Sequence, residues 1–319
     1  MLFEKQILKI YRKNLFVRND NPDGIFYFSP EDFEGLQVHP YSFQARAGHE
    51  LNGFFYHYPD PIPGRVLVFD HGMGNGHRAY MREIETLAKA GFLVFSYDHT
   101  GCMTSGGESC NGFAQSLSDL DACMEALKGE KVLEGYSFSV IGHSWGGFST
   151  MNIAALHPDI THVVSMSGFI SVKRIVEQTF DGILKPYRKA VLELERQVNG
   201  KYADFDGIES LEDTHAKVLL IYSENDPIVK MSCHCDPLMR ALGDKGNIAF
   251  RLEEGKAHNP TYTTDAVKYK DGFFAELQKL RKSKASSEEL KAFMESYDWR
   301  RMTEQDKKVW ERIVSHLKA

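Results

Sequence analysis

The chain has few cysteines, no basic excess and no long apolar run. Each of these absences excludes a class of protein. Its five cysteines (Cys102, Cys110, Cys123, Cys233, Cys235) are odd in number and lack framework spacing. That argues against a disulfide-stapled secreted fold and for a reducing, cytoplasmic setting. Cys233-His234-Cys235 has the side chains of a metal site but no second ligand pair at finger-like spacing. It is read as the start of a helix, and no metal is expected. A net charge of -6 leaves no surplus of Lys and Arg to neutralise phosphates, so nucleic acid is not expected as a partner. No segment approaches the roughly 18 consecutive apolar residues of a membrane-spanning helix, so integral membrane association is not expected. The opening MLFEKQILKIYRKNLF is interrupted by Glu4 and several lysines, unlike the apolar core of a signal peptide. It reads as an amphipathic helix whose Phe3, Ile7, Ile10 and Tyr11 pack on the protein body. There are no internal repeats and no low-complexity tract.

What remains is the composition of a soluble globular protein, 42% hydrophobic and 26% charged, long enough for one large domain or two small ones. A turn cluster at 19–24 (NDNPDG) precedes a helix start at Ser29-Pro30. Residues 41–58 read as two strands joined around Gly48. Strands and helices then alternate. Apolar strands are expected at 65–70, 92–98, 137–142, 162–167, 217–223 and 248–254. Helices are expected at 78–90, 113–128 and 145–156, with Leu117, Leu120, Met124 and Leu127 on one face of the second. Continuous Val/Leu/Ile runs mark strands buried on both faces. The fold class is therefore α/β, a mostly parallel central sheet flanked by helices.

Two segments break the rhythm. Residues 170–212 contain no strand and read as helical. The tail 264–319 carries capping-box patterns at SSEEL (286–290) and TEQD (303–306), which predict two or three helices. Its last helix would place Val309, Trp310, Ile313 and Leu317 on one face. The expected organisation is a core over 1–169 with an N-terminal extension, a helical cap over 170–212, a second core part over 213–263, and a helical C-terminal extension over 264–319 that includes the last core helix.

The informative stretch is Gly142-His143-Ser144-Trp145-Gly146-Gly147, directly after the strand 137–142. Gly-x-Ser-x-Gly between a strand and a helix is a nucleophile elbow: a sharp turn that presents the serine at the N-terminus of the following helix. Gly142 and Gly146 let the turn close without Cβ clashes. A serine hydroxyl needs a base to take its proton, and the base needs an orienting carboxylate. In this architecture the chain order is Ser, acid, His. Asp226 follows the strand 217–223 and His258 follows the strand 248–254, so both fall at the sheet edge beside Ser144. Glu224 is a competing acid. His143 reads as a packing residue of the elbow. The oxyanion of a tetrahedral intermediate needs two N–H donors. Trp145, after the nucleophile, would supply one. Met73, in His71-Gly72-Met73-Gly74 after the strand 65–70, would supply the other.

These motifs resemble the α/β-hydrolase fold family: HGMG at 71–74, GHSWGG at 142–147, NDP at 225–227, and His258. The loop YDHTGCMTSGGES (97–109) is similar to the Asp-x-x-Gly-x-Gly-x-Ser-x-Gly loop of monoacylglycerol-lipase-like and serine-aminopeptidase-like members, with Met103 in place of the second glycine. The resemblance covers about residues 41–260, and 170–212 matches the family's cap position. It implies a serine hydrolase cleaving a carboxylic ester through Ser144, His258 and Asp226 and an acyl-enzyme, with no cofactor. The expected partner is a small-molecule ester with an apolar acyl group. A peptidase or amidase of the same fold is the alternative, for which Glu177, Glu193 and Glu195 would have to bind a substrate amine. A non-catalytic ligand-binding protein on the same scaffold is the other. Cap aromatics (Phe180, Tyr187, Tyr202, Phe205) suit either an apolar acyl group or plain packing.

Overall fold

The computed structural model describes residues 3–21, 24–25, 27–74 and 76–319. The first two residues of the N-terminal segment, and Pro22 and Asp23 of the turn cluster, lie outside the described residues, as do Phe26 and Asn75.

Among the described residues eight strands form one sheet: β1 (Gln37–Gln44), β2 (Glu50–His57), β3 (Arg65–Asp70), β4 (Leu93–Tyr97), β5 (Ser137–His143), β6 (His162–Met166), β7 (Lys217–Ser223) and β8 (Ile248–Glu253). Their spatial order is β1-β2-β4-β3-β5-β6-β7-β8. The two pairings made by β2 are antiparallel, and all the others are parallel. Successive strand residues alternate between two apolar cores. Val66, Val68, Val140, Val163, Val218 and Leu220 face one side of the sheet. Leu67, Phe69, Ile141, Val164, Leu219 and Ile221 face the other. This two-sided burial is why the central strands β3 to β7 lack a polar face.

Helices α1 (Glu4–Leu15), α2 (Met81–Lys89), α3 (Gln115–Gly129) and α4 (Trp145–Leu156) precede the helical 170–212 segment. That segment holds α5 (Val172–Thr179), α6 (Arg188–Asn199) and α7 (Gly207–Glu212), joined by 3-10 turns. The later helices are α8 (Cys235–Leu242), α9 (Thr264–Lys282), α10 (Ser287–Glu295), α11 (Trp299–Met302) and α12 (Lys307–Lys318). Cys235 thus opens a helix, and His234 accepts the Ile170 N–H at 3.2 Å. In α12 the four expected residues, Val309, Trp310, Ile313 and Leu317, are buried against the same core as Ile84 and Leu87 of α2.

Three details correct the sequence reading. In α1 only Tyr11 is fully buried, while Phe3 and Ile10 are more than half exposed. The packed stripe runs through Ile7, Leu8, Tyr11 and Leu15 instead. The tail forms four helices rather than two or three. Ser286 and Glu289 do make a capping box, but Thr303 does not. From the C-terminal end of α11 its hydroxyl donates to the carbonyl of Trp299, the first residue of that helix, and Asp306 caps α12 by accepting the amides of Lys308 and Val309. The short side chain nearest the first helical residue wins the cap.

Candidate active site

The sharp turn between β5 and α4 leaves Ser144 at φ 57, ψ -108, a conformation costly for a residue with a Cβ. Its surroundings hold it there. The Ser144 amide donates to the Met166 carbonyl at 2.8 Å, and its carbonyl accepts the Phe148 amide at 3.0 Å. The Ser149 hydroxyl donates to the buried Asp70 carboxylate one helical turn further on. The glycines are sterically required. A Cβ on Gly142 would lie 2.3 Å from the Gly146 carbonyl oxygen, and one on Gly146 would lie 2.0 Å from that of Asp70.

The loops after β7 and β8 bring Asp226 and His258 to this turn. Ser144 Oγ lies 2.8 Å from His258 Nε2, and His258 Nδ1 lies 2.7 Å from Asp226 Oδ2. The other oxygen of Asp226 accepts the amides of Ile228 and Val229 at 2.8 and 2.9 Å. Burial opposes ionisation of Asp226. The hydrogen bond and charge of His258, with these two amides, outweigh it and hold the carboxyl below its usual range. Glu224, the competing acid, is exposed, and its backbone amide donates to the Glu253 carbonyl at 3.1 Å.

Met73 borders the cavity over Ser144, and Trp145 is the first residue of α4. Among the described residues neither amide finds an acceptor within the protein. The Trp145 side chain is buried, with its indole N–H on the Phe113 carbonyl at 2.7 Å.

Two residues to which the sequence reading gives no such role, Tyr80 and His143, position His258. The Tyr80 hydroxyl donates to His143 Nδ1 at 2.9 Å, and His143 Nε2 donates to the His258 carbonyl at 2.6 Å. Burial first, then the neighbouring His258, push the His143 pKa down to about 3, so this imidazole is neutral and keeps the tautomer that braces the loop. His143 is therefore more than packing. The Asn225 side chain accepts the Ala257 amide at 3.0 Å, tying the loop after β7 to the one after β8. Neighbouring loops use the same devices. Asp98 accepts both the backbone and ring N–H of His77, and Met103 adopts φ 46, the left-handed conformation that a glycine would take at that position.

The cavity measures about 240 Å³ and is lined by Gly72, Met73, Tyr80, His143, Ser144 and His258, with Ala79, Asn259, Tyr262, Lys270 and Phe274. Lys270 and Phe274 belong to α9 of the C-terminal extension. No residue of 170–212 borders it among the described residues. Phe180 is buried against Tyr11, with ring centroids 5.9 Å apart. Glu195 is buried too, accepting the Tyr11 hydroxyl at 2.5 Å and the amides of Phe113 and Ala114.

Comparison with known proteins agrees with the fold. Residues 61–204 match the family model described as serine aminopeptidase, S33. Over 123 residues the chain is 26% identical to a monoglyceride lipase homolog of Monkeypox virus, covering 38% of this chain and 44% of that protein. The match thus spans less than half of that relative's length. An esterase of Pyrococcus furiosus superposes with a TM-score of 0.56 at 20% identity, covering 75% of this chain and 88% of the other. An acylaminoacyl peptidase of Pyrococcus horikoshii does so with a TM-score of 0.50 at 16% identity, covering 71% and 38%. The chain has the α/β-hydrolase fold.

Proposed function

We propose that the chain is a serine hydrolase of small carboxylic esters. The observation that carries this is the unbroken hydrogen-bonded series Ser144–His258–Asp226, with Ser144 held at a positive φ on the elbow. Ser144 Oγ attacks the ester carbonyl carbon while His258 Nε2 takes its proton. Asp226 keeps the proton on Nδ1 and stabilises the imidazolium. The negative oxygen of the tetrahedral intermediate accepts the otherwise unengaged amides of Met73 and Trp145. His258 returns the proton to the departing alcohol. A water then attacks the acyl-enzyme by the same route in reverse, releasing the acid.

The cavity favours an ester over a peptide amine. An aminopeptidase needs an acid to meet its substrate's ammonium, and no carboxylate lines the cavity among the described residues. Glu195 is engaged with Tyr11 and two amides, and Glu193 is exposed on α6 away from the lining. A volume of about 240 Å³ is below the ~300–1,000 Å³ of pockets for drug-sized ligands, which favours a short substrate.

A fluorophosphonate probe tests the reading, because it reacts only with an activated serine. It should label the wild-type chain and not Ser144→Ala, which should also lose turnover of short-chain aryl esters while remaining folded. Near-wild-type turnover by Ser144→Ala would refute the assignment.

A further inference from the structure

The cavity has one feature that ester hydrolysis does not by itself require. Its lining is largely apolar or aromatic, from Met73, Ala79, Tyr80, Tyr262 and Phe274, yet a lysine side chain borders it. Lys270 reaches in from α9. Its ammonium donates to the Asn259 side-chain carbonyl and lies 5.5 Å from the centre of the Tyr262 ring. Asn259 is the residue after His258, so the cation is fixed close to the reacting serine. A lysine that served only solubility would extend into water; this one is half-buried on the wall of the cavity over Ser144. The lining set contains no carboxylate among the described residues. Resting on the serine-hydrolase reading, we infer that the site takes esters bearing a carboxylate at the end of a short apolar chain, with Lys270 as the residue that recognises the anion.

Charge and size agree with this. Burial pushes the Lys270 pKa down to about 8, opposed by the charges of Asp271 and Glu83, so the side chain is mostly protonated at neutral pH. It is a cation in a chain of net charge -6, where anions are otherwise repelled. A hemiester of a short dicarboxylic acid has the matching pattern: scissile ester, a few methylenes against Met73 and Phe274, terminal anion at Lys270. Hydrolysis of the methyl hemiester would consume one water and release methanol, the dicarboxylate and one proton.

Monomethyl glutarate and methyl pentanoate differ mainly in a terminal carboxylate against a methyl, so the pair isolates the charge. The wild-type chain should favour the hemiester by tenfold or more in kcat/KM. Lys270→Met should cut that ratio at least tenfold, whereas Lys270→Arg should keep most of it. Binding of monomethyl glutarate to Ser144→Ala, measured by calorimetry, should weaken at least tenfold when Lys270→Met is added. A wild-type ratio near one would overturn the inference without needing any variant. Equal losses on both esters would also overturn it, marking Lys270 as a brace for Asn259 only. Binding to Ser144→Ala that does not respond to Lys270→Met would do the same. The serine-hydrolase reading fails separately: a wild-type chain unlabelled by fluorophosphonate, whose Ser144→Ala form still binds the hemiester through Lys270, would keep the anion site and discard the esterase.

Discussion

Asp226→Asn separates the role of the acid from its shape. In the native chain one carboxylate oxygen accepts the amides of Ile228 and Val229, and the other accepts His258 Nδ1–H at 2.7 Å. Asparagine is nearly isosteric but has only one acceptor oxygen. Two backbone amides can be satisfied only by that oxygen, so the amide NH2 must face His258 Nδ1. Two donors cannot share a hydrogen bond. The imidazole answers by moving its proton to Nε2, where it confronts Ser144 Oγ at 2.8 Å and cannot accept the serine proton. The barrier should rise by about 5.5 kcal/mol, a loss of ~10⁴ in kcat near neutral pH, with little change in KM. Stability should hardly change, since both backbone amides keep their acceptor. Steady-state hydrolysis of a short-chain aryl ester gives the rate, circular dichroism checks the fold, and nitrogen NMR of His258 reads the tautomer directly. A mild effect of Asp226→Asn beside a crippling Glu224→Gln would refute both the choice of acid and the reasoning from acceptor count.

Met73→Ala retains the backbone N–H assigned to the oxyanion and should slow kcat only modestly, whereas Met73→Pro removes it and should cost about 10²–10³ in kcat, or ~2.7–4 kcal/mol; equal impairment at equal stability would move the donor to another residue. The melting temperature should peak near pH 6.5. His71 and His143 are pushed down to about 3, chiefly by burial, so the unfolded chain binds more protons and stability falls as the pH drops from about 6.5 towards 3. His99 is also penalised by burial, but Asp70 and Asp119 push it up to about 10, so its contribution is complete below about 6.5 and is lost as the pH rises towards 10; a flat profile between pH 4 and 9 would contradict these shifts.

The strands and the elbow were legible because each is specified locally. Buried parallel strands need unbroken apolar runs, and β7 (Lys217–Ser223) runs over the very span that the residues predict. The elbow is written in Gly142 and Gly146, whose missing side chains leave room for carbonyl oxygens closer than any Cβ could approach. Asp226 and His258 could be found because they follow strands whose order fixes where their loops emerge. The supporting hydrogen bonds were not legible in this way. Tyr80 and His143 are 63 residues apart and His143 and His258 are 115 apart. A tyrosine in a turn before a helix gives no sign that its hydroxyl will orient another residue's ring.

The cavity wall was the least legible part, and the reason lies in helix packing. Residues 170–212 occupy the chain position from which a cap would cover Ser144, and their aromatic content suited that role. In the structure Phe180 meets Tyr11 of α1, and Glu195 accepts the Tyr11 hydroxyl beneath it, so this face is spent on an N-terminal helix that the family resemblance does not include. The wall beside Ser144 is instead built by α9. Phe273 faces inward to a small core with Leu277, Met302 and Ile25, while the next residue, Phe274, and Lys270 one turn earlier border the cavity. On a helix those positions diverge by 100° per residue. One helix can thus pack on its own extension through Phe273 and face the substrate through Lys270 and Phe274. In sequence the two faces are interleaved, so nothing in the tail marks which side of α9 meets the cavity. Selectivity in this chain would then change fastest by substitution along α9, where Phe274 is exposed enough to vary without disturbing the core, while changes at Phe180 would be felt first as lost packing.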